Sequence, residues 1–159
     1  MPYRHVQQVI MKKILDYRKL FNATKSTELK ELKSTYRNLM KEWHPDKFQG
    51  NDEASLNAEE KSKSIIEAYH YLVSIAPETI EAQLPEYTST TTTSAIVDYE
   101  YKGQTLKIIF LNGSSYEYFA VPKPIYVKLV NSDTPVRFAK RHIYNSFSYR
   151  KLTNSEMTV

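Results

Sequence analysis

A histidine, a proline and an aspartate stand in a row at positions 44–46, inside the stretch MKEWHPDKFQG from Met40 to Gly50. An imidazole and a carboxylate two residues apart could serve as an acid–base pair, as part of a metal site, or as a contact point for another protein. Acid–base catalysis and metal binding need further groups. The four histidines are His5, His44, His70 and His142, and none stands three or four residues from another. With no cysteine in the chain, a zinc site would have to be assembled from distant segments. No glycine-rich phosphate loop and no Gly-x-Ser-x-Gly elbow occur, and the three glycines all fall in expected loops or turns. On an exposed loop tip, His44 and Asp46 would have no pocket to exclude water or perturb their acidities. The residues point away from an enzyme, and no cofactor or metal is expected. Pro45 has a local reason, since it biases His44 out of helical dihedrals and ends the preceding helix. That reason does not account for the His44 and Asp46 that flank it.

Two helices must position this tripeptide. Leu29, Leu32, Tyr36, Leu39, Met40 and Trp43 recur at helical spacing after Ser26, the expected N-cap. A later stripe, Ile65, Tyr69, Leu72 and Ala76, stops before Pro77, and Asn57 with Glu60 has the spacing of a capping box. A shorter helix, from about Val9 to Leu20, precedes both. The two longer helices are expected to pair as an antiparallel hairpin with the His44–Leu56 loop at one end. Opposite the apolar stripe of the first of these, Lys30, Lys33, Arg37 and Lys41 form a continuous basic stripe that leads to His44. Such a stripe is most often a solvated helix face. Its continuity with the loop is what favours a functional reading.

Charge is segregated along the chain. Residues 1–50 carry 11 Lys/Arg against 5 Asp/Glu, residues 51–86 carry 2 against 8, and residues 87–159 carry 9 against 5. Alternating blocks of this kind suggest separate surfaces with different partners rather than one nucleic-acid coat. The absence of cysteine fits a reducing compartment. No apolar run approaches a membrane span, and the opening MPYRHVQQVIMKKIL lacks a signal-peptide core. The expected location is cytoplasmic, without membrane contact.

After about Pro85 the pattern changes. LPEYTSTTTTS contains a threonine run that reads as a linker or as the lead-in to a strand. In the segment that follows, Asn112-Gly113 between two β-rich runs predicts a two-residue hairpin. Its register would pair Leu111 with Ser114, Ile109 with Tyr116 and Lys107 with Tyr118. That places Leu106, Ile108 and Phe110 on the face opposite Tyr116 and Tyr118. A strand from Ile96 to Tyr101 joins through Lys102-Gly103-Gln104, with Tyr99 and Tyr101 on the tyrosine face. KPIYVKLVNSD and TPVRFAKRHIYNSF read as two short helices, the second with Pro135 in its first position after Thr134.

The segments DYRKLF, STELKELKSTYRNLMKEWHPDK and AEEKSKSIIEAYHYL together resemble the J-domain of DnaJ-type co-chaperones, from about Met11 to Ala76. The resemblance implies that His44, Pro45 and Asp46, with Lys30, Lys33, Arg37 and Lys41, dock on a DnaK-type (heat shock protein 70) chaperone and stimulate its ATP hydrolysis. Ser62 stands where that family usually has a core phenylalanine, and Asn38 and Glu42 interrupt its basic cluster. The Gly/Phe-rich segment and cysteine-rich zinc module of larger DnaJ proteins do not occur in this sequence.

From about Ser94 to Leu152 the chain resembles the KTSC domain. The resemblance is carried by Tyr116-Glu117-Tyr118, Val121-Pro122, Tyr126 with Leu129, and Phe138 with Ile143, while Val136 replaces a frequent glycine. RNA binding has been suggested for that family. Tyr116 and Tyr118, with Tyr99 and Tyr101, would offer stacking surfaces beside Lys107, and Arg137, Lys140, Arg141, Arg150 and Lys151 would contact phosphates. The competing reading buries the tyrosines beneath helices, which must cover one sheet face.

The expected fold is an all-α J-domain over 1–84, built as an antiparallel helical hairpin plus an N-terminal helix. A linker over 85–94 and a small α+β KTSC-like domain over 95–159 follow, the latter an antiparallel three-stranded meander with C-terminal helices. The expected function is that of a co-chaperone whose second domain targets it to a client or to RNA. The alternative is an RNA- or ribosome-associated binding protein that uses the basic, tyrosine-rich second domain.

Overall fold

The computed structural model describes residues 2–48, 50 and 52–153, with side chains from Lys12 onward. The last six residues of the expected second domain lie outside the described residues. The chain forms two compact units, one of Lys13–Ile80 and the other of Met1–Lys12 with Glu81–Val159. Its elements run α1 (Pro2–Phe21), α2 (Leu29–Trp43), a 3-10 turn (Pro45–Phe48), α3 (Asp52–Ile75), α4 (Pro77–Thr93), β1 (Ile96–Lys102), β2 (Thr105–Phe110), β3 (Ser115–Tyr118), α5 (Lys123–Asn131), α6 (Pro135–His142) and β4 (Tyr149–Lys151).

In the helical unit, α2 packs on α3 as the two stripes require. Leu32, Ile65, Ala68, Leu72, Ala76 and Phe21 are buried, and Leu29, Tyr36, Leu39, Met40, Trp43 and Tyr69 pack around them. Fully burying a side chain such as Ile65 stabilises the fold by about 1.5–3 kcal/mol. Tyr36 stacks on Tyr69 with ring centroids 4.2 Å apart, which fixes the azimuth of α2 on α3. Ser62 is buried, and its hydroxyl donates to the Glu59 carbonyl at 2.9 Å, so the missing aromatic ring leaves no unpaired hydroxyl.

Helix ends depart from the expectations. The N-cap of α2 is Glu28, not Ser26, and the first amide of the helix, Leu29 N–H, donates to Glu78 Oε1 at 2.7 Å. A carboxylate brought from α4 thus does the work of a local cap. Helix α3 begins at Asp52, so Asn57 and Glu60 lie inside it and form no capping box. Asp52 and Glu53 in its first turn complement the positive end of the helix dipole.

The other unit is built on a sheet of order β1-β2-β3-β4, antiparallel throughout. It has four strands rather than the expected three, because Tyr149–Lys151 returns to pair with β3. Gly103 and Gln104, at φ +56° and +61°, close β1 to β2 as a two-residue turn. The Asn112-Gly113 hairpin is different. Gly113 N–H donates to the Phe110 carbonyl and Phe110 N–H to the Ser114 carbonyl. Only Gly113 has positive φ, so Leu111, Asn112 and Gly113 form a three-residue loop with a glycine bulge.

The extra loop residue shifts the register by one. Leu106 pairs with Tyr118, Ile108 with Tyr116 and Lys107 with Glu117. A one-residue slip exchanges the faces of a strand, so Tyr116 and Tyr118 join Leu106, Ile108 and Phe110 instead of opposing them. The core of this unit is that face, covered by Leu129 of α5, Ala139 of α6, Ile143, Tyr144 and Tyr87. Thr134 precedes α6 as its N-cap with Pro135 in the first turn, as the sequence indicates.

The stretch read as linker or strand lead-in is the second half of α4, which runs through Pro85 to Thr93. Tertiary burial overrides the weak helix propensity of its threonines. Tyr87, Thr90 and Thr91 are buried, and the Thr91 and Thr93 hydroxyls donate to the carbonyls of Tyr87 and Ser89, one turn back.

Candidate docking site

Helix α2 ends where Pro45 forces His44 out of the helix, at φ −61° and ψ 130°. The chain then closes a single 3-10 turn in which Lys47 N–H donates to the His44 carbonyl at 3.0 Å. His44 and Asp46 are both on the surface, with side chains 49% and 78% exposed. Their side chains meet over the turn. Asp46 N–H donates to His44 Nδ1 at 3.2 Å, and Asp46 Oδ2 lies 3.5 Å from the same nitrogen. The base of the tip is anchored by aromatic packing, with Trp43 stacked near Phe48 and the Lys61 ammonium 5.7 Å from the Trp43 ring centre. Phe48 and Lys61 escaped the sequence reading because neither belongs to a periodic stripe. Lys30, Lys33, Arg37 and Lys41 are all exposed along α2, as are Asn38 and Glu42. The geometry supplies a cationic helix face ending in an imidazole and a carboxylate.

The residues proposed for nucleic acid fare differently. Tyr116 and Tyr118 are wholly buried, because the register shift turns them inward, and they cannot stack on a base in this fold. Tyr99 and Tyr101 are half-buried against the same core, Tyr101 stacked on Tyr126 and donating its hydroxyl to the Val121 carbonyl at 2.6 Å. Lys107 is buried, its ammonium 3.2 Å from Glu100. It is one rung of a row across the opposite sheet face, Glu100, Lys107, Glu117 and Arg150, in which signs alternate from strand to strand. Arg150 is buried 3.6 Å from Glu117, and Lys151 pairs with Glu86 at 2.7 Å. Arg137, Lys140 and Arg141 are exposed on α6, and Lys140 donates to the Thr92 carbonyl at the end of α4.

Inside that core the Tyr87 hydroxyl lies 3.0 Å from that of Tyr118 and donates to the Tyr144 carbonyl at 2.7 Å. Tyr87 also stacks on Tyr149 with centroids 3.8 Å apart. Burial pushes the Tyr116 phenol up to about 12 and raises those of Tyr87, Tyr118 and Tyr144 as well. These tyrosines are structural groups.

Residues 16–78 match the family of the DnaJ domain, and residues 92–147 match the family of the KTSC domain. The chain carries a J-domain followed by a KTSC domain. The J-domain region is also 44% identical over 59 residues to the chaperone protein DnaJ of Hydrogenobacter thermophilus. That stretch is 37% of this chain and 15% of the relative, so the chain spans a small part of that protein's length. The J-domain match takes in the whole α2–turn–α3 hairpin and reaches Glu78, the residue that caps α2. The KTSC match begins after Tyr87 and ends before β4, although both belong to the packed domain. Among the described residues, no helix of either part is long and apolar enough to cross a membrane.

Proposed function

We propose that the chain is a co-chaperone whose J-domain docks on a DnaK-type chaperone and raises its rate of ATP hydrolysis, while the KTSC domain directs where it acts. The observation that carries this reading is the His44-Pro45-Asp46 tip, exposed on a turn held by Trp43 and Phe48 at the end of a basic helix face. Asp46 can accept a charge-assisted bond from a partner arginine, and the stripe of Lys30, Lys33, Arg37 and Lys41 steers encounter with an acidic surface. Stimulation follows only if docking favours the partner's hydrolysis-competent state over its resting state. The ATP site belongs to the partner, so the chain itself is read as a non-enzyme. Single-turnover ATPase of a DnaK-type chaperone should rise on adding the chain, and His44→Gln should abolish the rise. A wild-type chain without effect would sink the proposal, and equal stimulation by the variant would remove the tip from it.

A second role, in nucleic-acid binding by the KTSC domain, rests on exposed Arg137, Lys140 and Arg141 on α6. Stacking on Tyr116 and Tyr118 forms no part of it. Contact of this kind is with phosphates, so RNA affinity should fall steeply with added salt and with Arg137→Ala/Arg141→Ala. An affinity indifferent to both would dismiss it.

A further inference from the structure

Strand β1 closes one side of the KTSC sheet, and among the described residues no strand pairs with its outer edge. With seven residues it is the longest of the four strands, and it has no proline to block further pairing. The two-residue turn at Gly103 and Gln104 makes Lys102 and Thr105 a hydrogen-bonded pair, and the alternation of an antiparallel ladder extends this to Glu100 and Asp98. The main-chain N–H and C=O of Tyr99 therefore point away from the sheet. That N–H is held by its neighbour, donating to Asp98 Oδ1 at 2.8 Å. The edge has two unlike sides. On the core side, burial and the nearby Tyr126 phenol of α5 raise the phenol of Tyr99, and the Tyr126 ring stacks on Tyr101 with centres 4.5 Å apart. Val130, one turn further along α5, is 48% exposed. On the other side stand the exposed carboxylates of Asp98 and Glu100, the latter already 3.2 Å from the Lys107 ammonium.

From this edge we infer a docking site for an extended segment of another protein, built of alternating apolar and basic residues and added to the sheet beside β1. A carbonyl of the incoming chain takes the Tyr99 N–H in place of Asp98 Oδ1, and an incoming N–H donates to the Tyr99 carbonyl. The residue set opposite Tyr99 then has its side chain on the core side, where Tyr99 and Tyr126 offer apolar surface. Its two neighbours fall on the other side. There the displaced Asp98 carboxylate is open to a charge-assisted bond from a lysine or arginine. Acidic residues at the same places would meet Asp98 and Glu100 as like charges. The site goes beyond the co-chaperone reading. It lies wholly within the KTSC domain and does not depend on docking by the J-domain.

The test titrates the full chain, labelled with nitrogen-15, with three short peptides. One alternates valine with lysine, one alternates valine with glutamate, and the third is the lysine peptide with its valine nitrogens methylated, which removes the N–H groups an added strand needs. The lysine peptide should shift the Tyr99 amide resonance, slow its hydrogen exchange, and bind about tenfold more tightly than either of the others. Asp98→Asn keeps an oxygen for the Tyr99 N–H but removes the charge, so the preference for lysine over glutamate should shrink to about twofold. A lysine peptide that fails to bind, binds without moving the Tyr99 amide, or binds equally well when methylated would overturn the site. Undiminished preference in Asp98→Asn would overturn the assignment of a basic partner. A Tyr99 amide that shifts with protein concentration alone would give the edge to a second copy of this chain, against the proposal.

Discussion

The Tyr87 hydroxyl, shared between the Tyr118 hydroxyl and the Tyr144 carbonyl, is the polar centre of an aromatic core. A phenol in such a place is stable only while neutral, because ionising it would put a charge where water cannot reach. The folded KTSC domain therefore holds its tyrosine protons more tightly than the unfolded chain. Above the ordinary phenol value of 10.0 the unfolded state binds fewer protons than the native one, so stability declines with rising pH. The contribution of Tyr116 is complete below that value and is lost as pH climbs through about 12. In an alkaline titration, tyrosinate absorbance from these groups should emerge together with loss of the domain's circular dichroism. Tyrosines that all ionised at the ordinary value with the fold intact would contradict their burial. At this scale the sequence was a partial guide. The position of His44-Pro45-Asp46 could be read, since Pro45 ends α2 and leaves His44 and Asp46 exposed on the turn that follows. The tyrosines could not, because an aromatic on a strand is equally at home on either face.

Among the elements, what could be read depended on whether the signal was periodic. The stripes of α2 and α3 repeat over several turns and gave the hairpin, its basic face and the position of the tip. Asn112-Gly113 marked a hairpin correctly but fits two loops that differ by one residue, and that residue decides which strand face is buried. What selects the longer loop is partly tertiary, because the Asn112 side chain accepts from Ser114 N–H and donates to the Thr90 hydroxyl of α4 at 2.8 Å. Helix α4 was hidden by Pro85 and by threonines, whose helical state depends on burial, and β4 is three residues long. The cap of α2 was hidden for a related reason, since Glu78 lies 49 residues from Leu29. Replacing it tests that contact directly. Glu78→Ala should destabilise the J-domain by about 1 kcal/mol in urea unfolding and speed hydrogen exchange at the first amides of α2. Unchanged exchange there would mean that water serves the Leu29 amide equally well.

Taken as a whole, the molecule keeps its charges in separate places. The cations of the α2 stripe are exposed, whereas two of the KTSC sheet, Lys107 and Arg150, lie against Glu100 and Glu117. Within the J-domain, the α2 stripe is the surface that should attract an acidic partner. Lys33→Glu/Arg37→Glu should slow association with a DnaK-type chaperone about tenfold at low salt, and the difference should shrink as salt is added. A loss appearing only in the dissociation rate would instead assign these residues to the bound contact. The KTSC domain closes through residues that its family match leaves out: Tyr87 fills the core, Glu86 pairs with Lys151, and β4 completes the sheet. A recombination that moved only the recognisable stretch would deliver β3 with a bare edge and a core lacking one aromatic wall. The piece that can be inherited whole is longer than the piece that can be recognised. The part of α4 from Glu81 onward therefore belongs to the module.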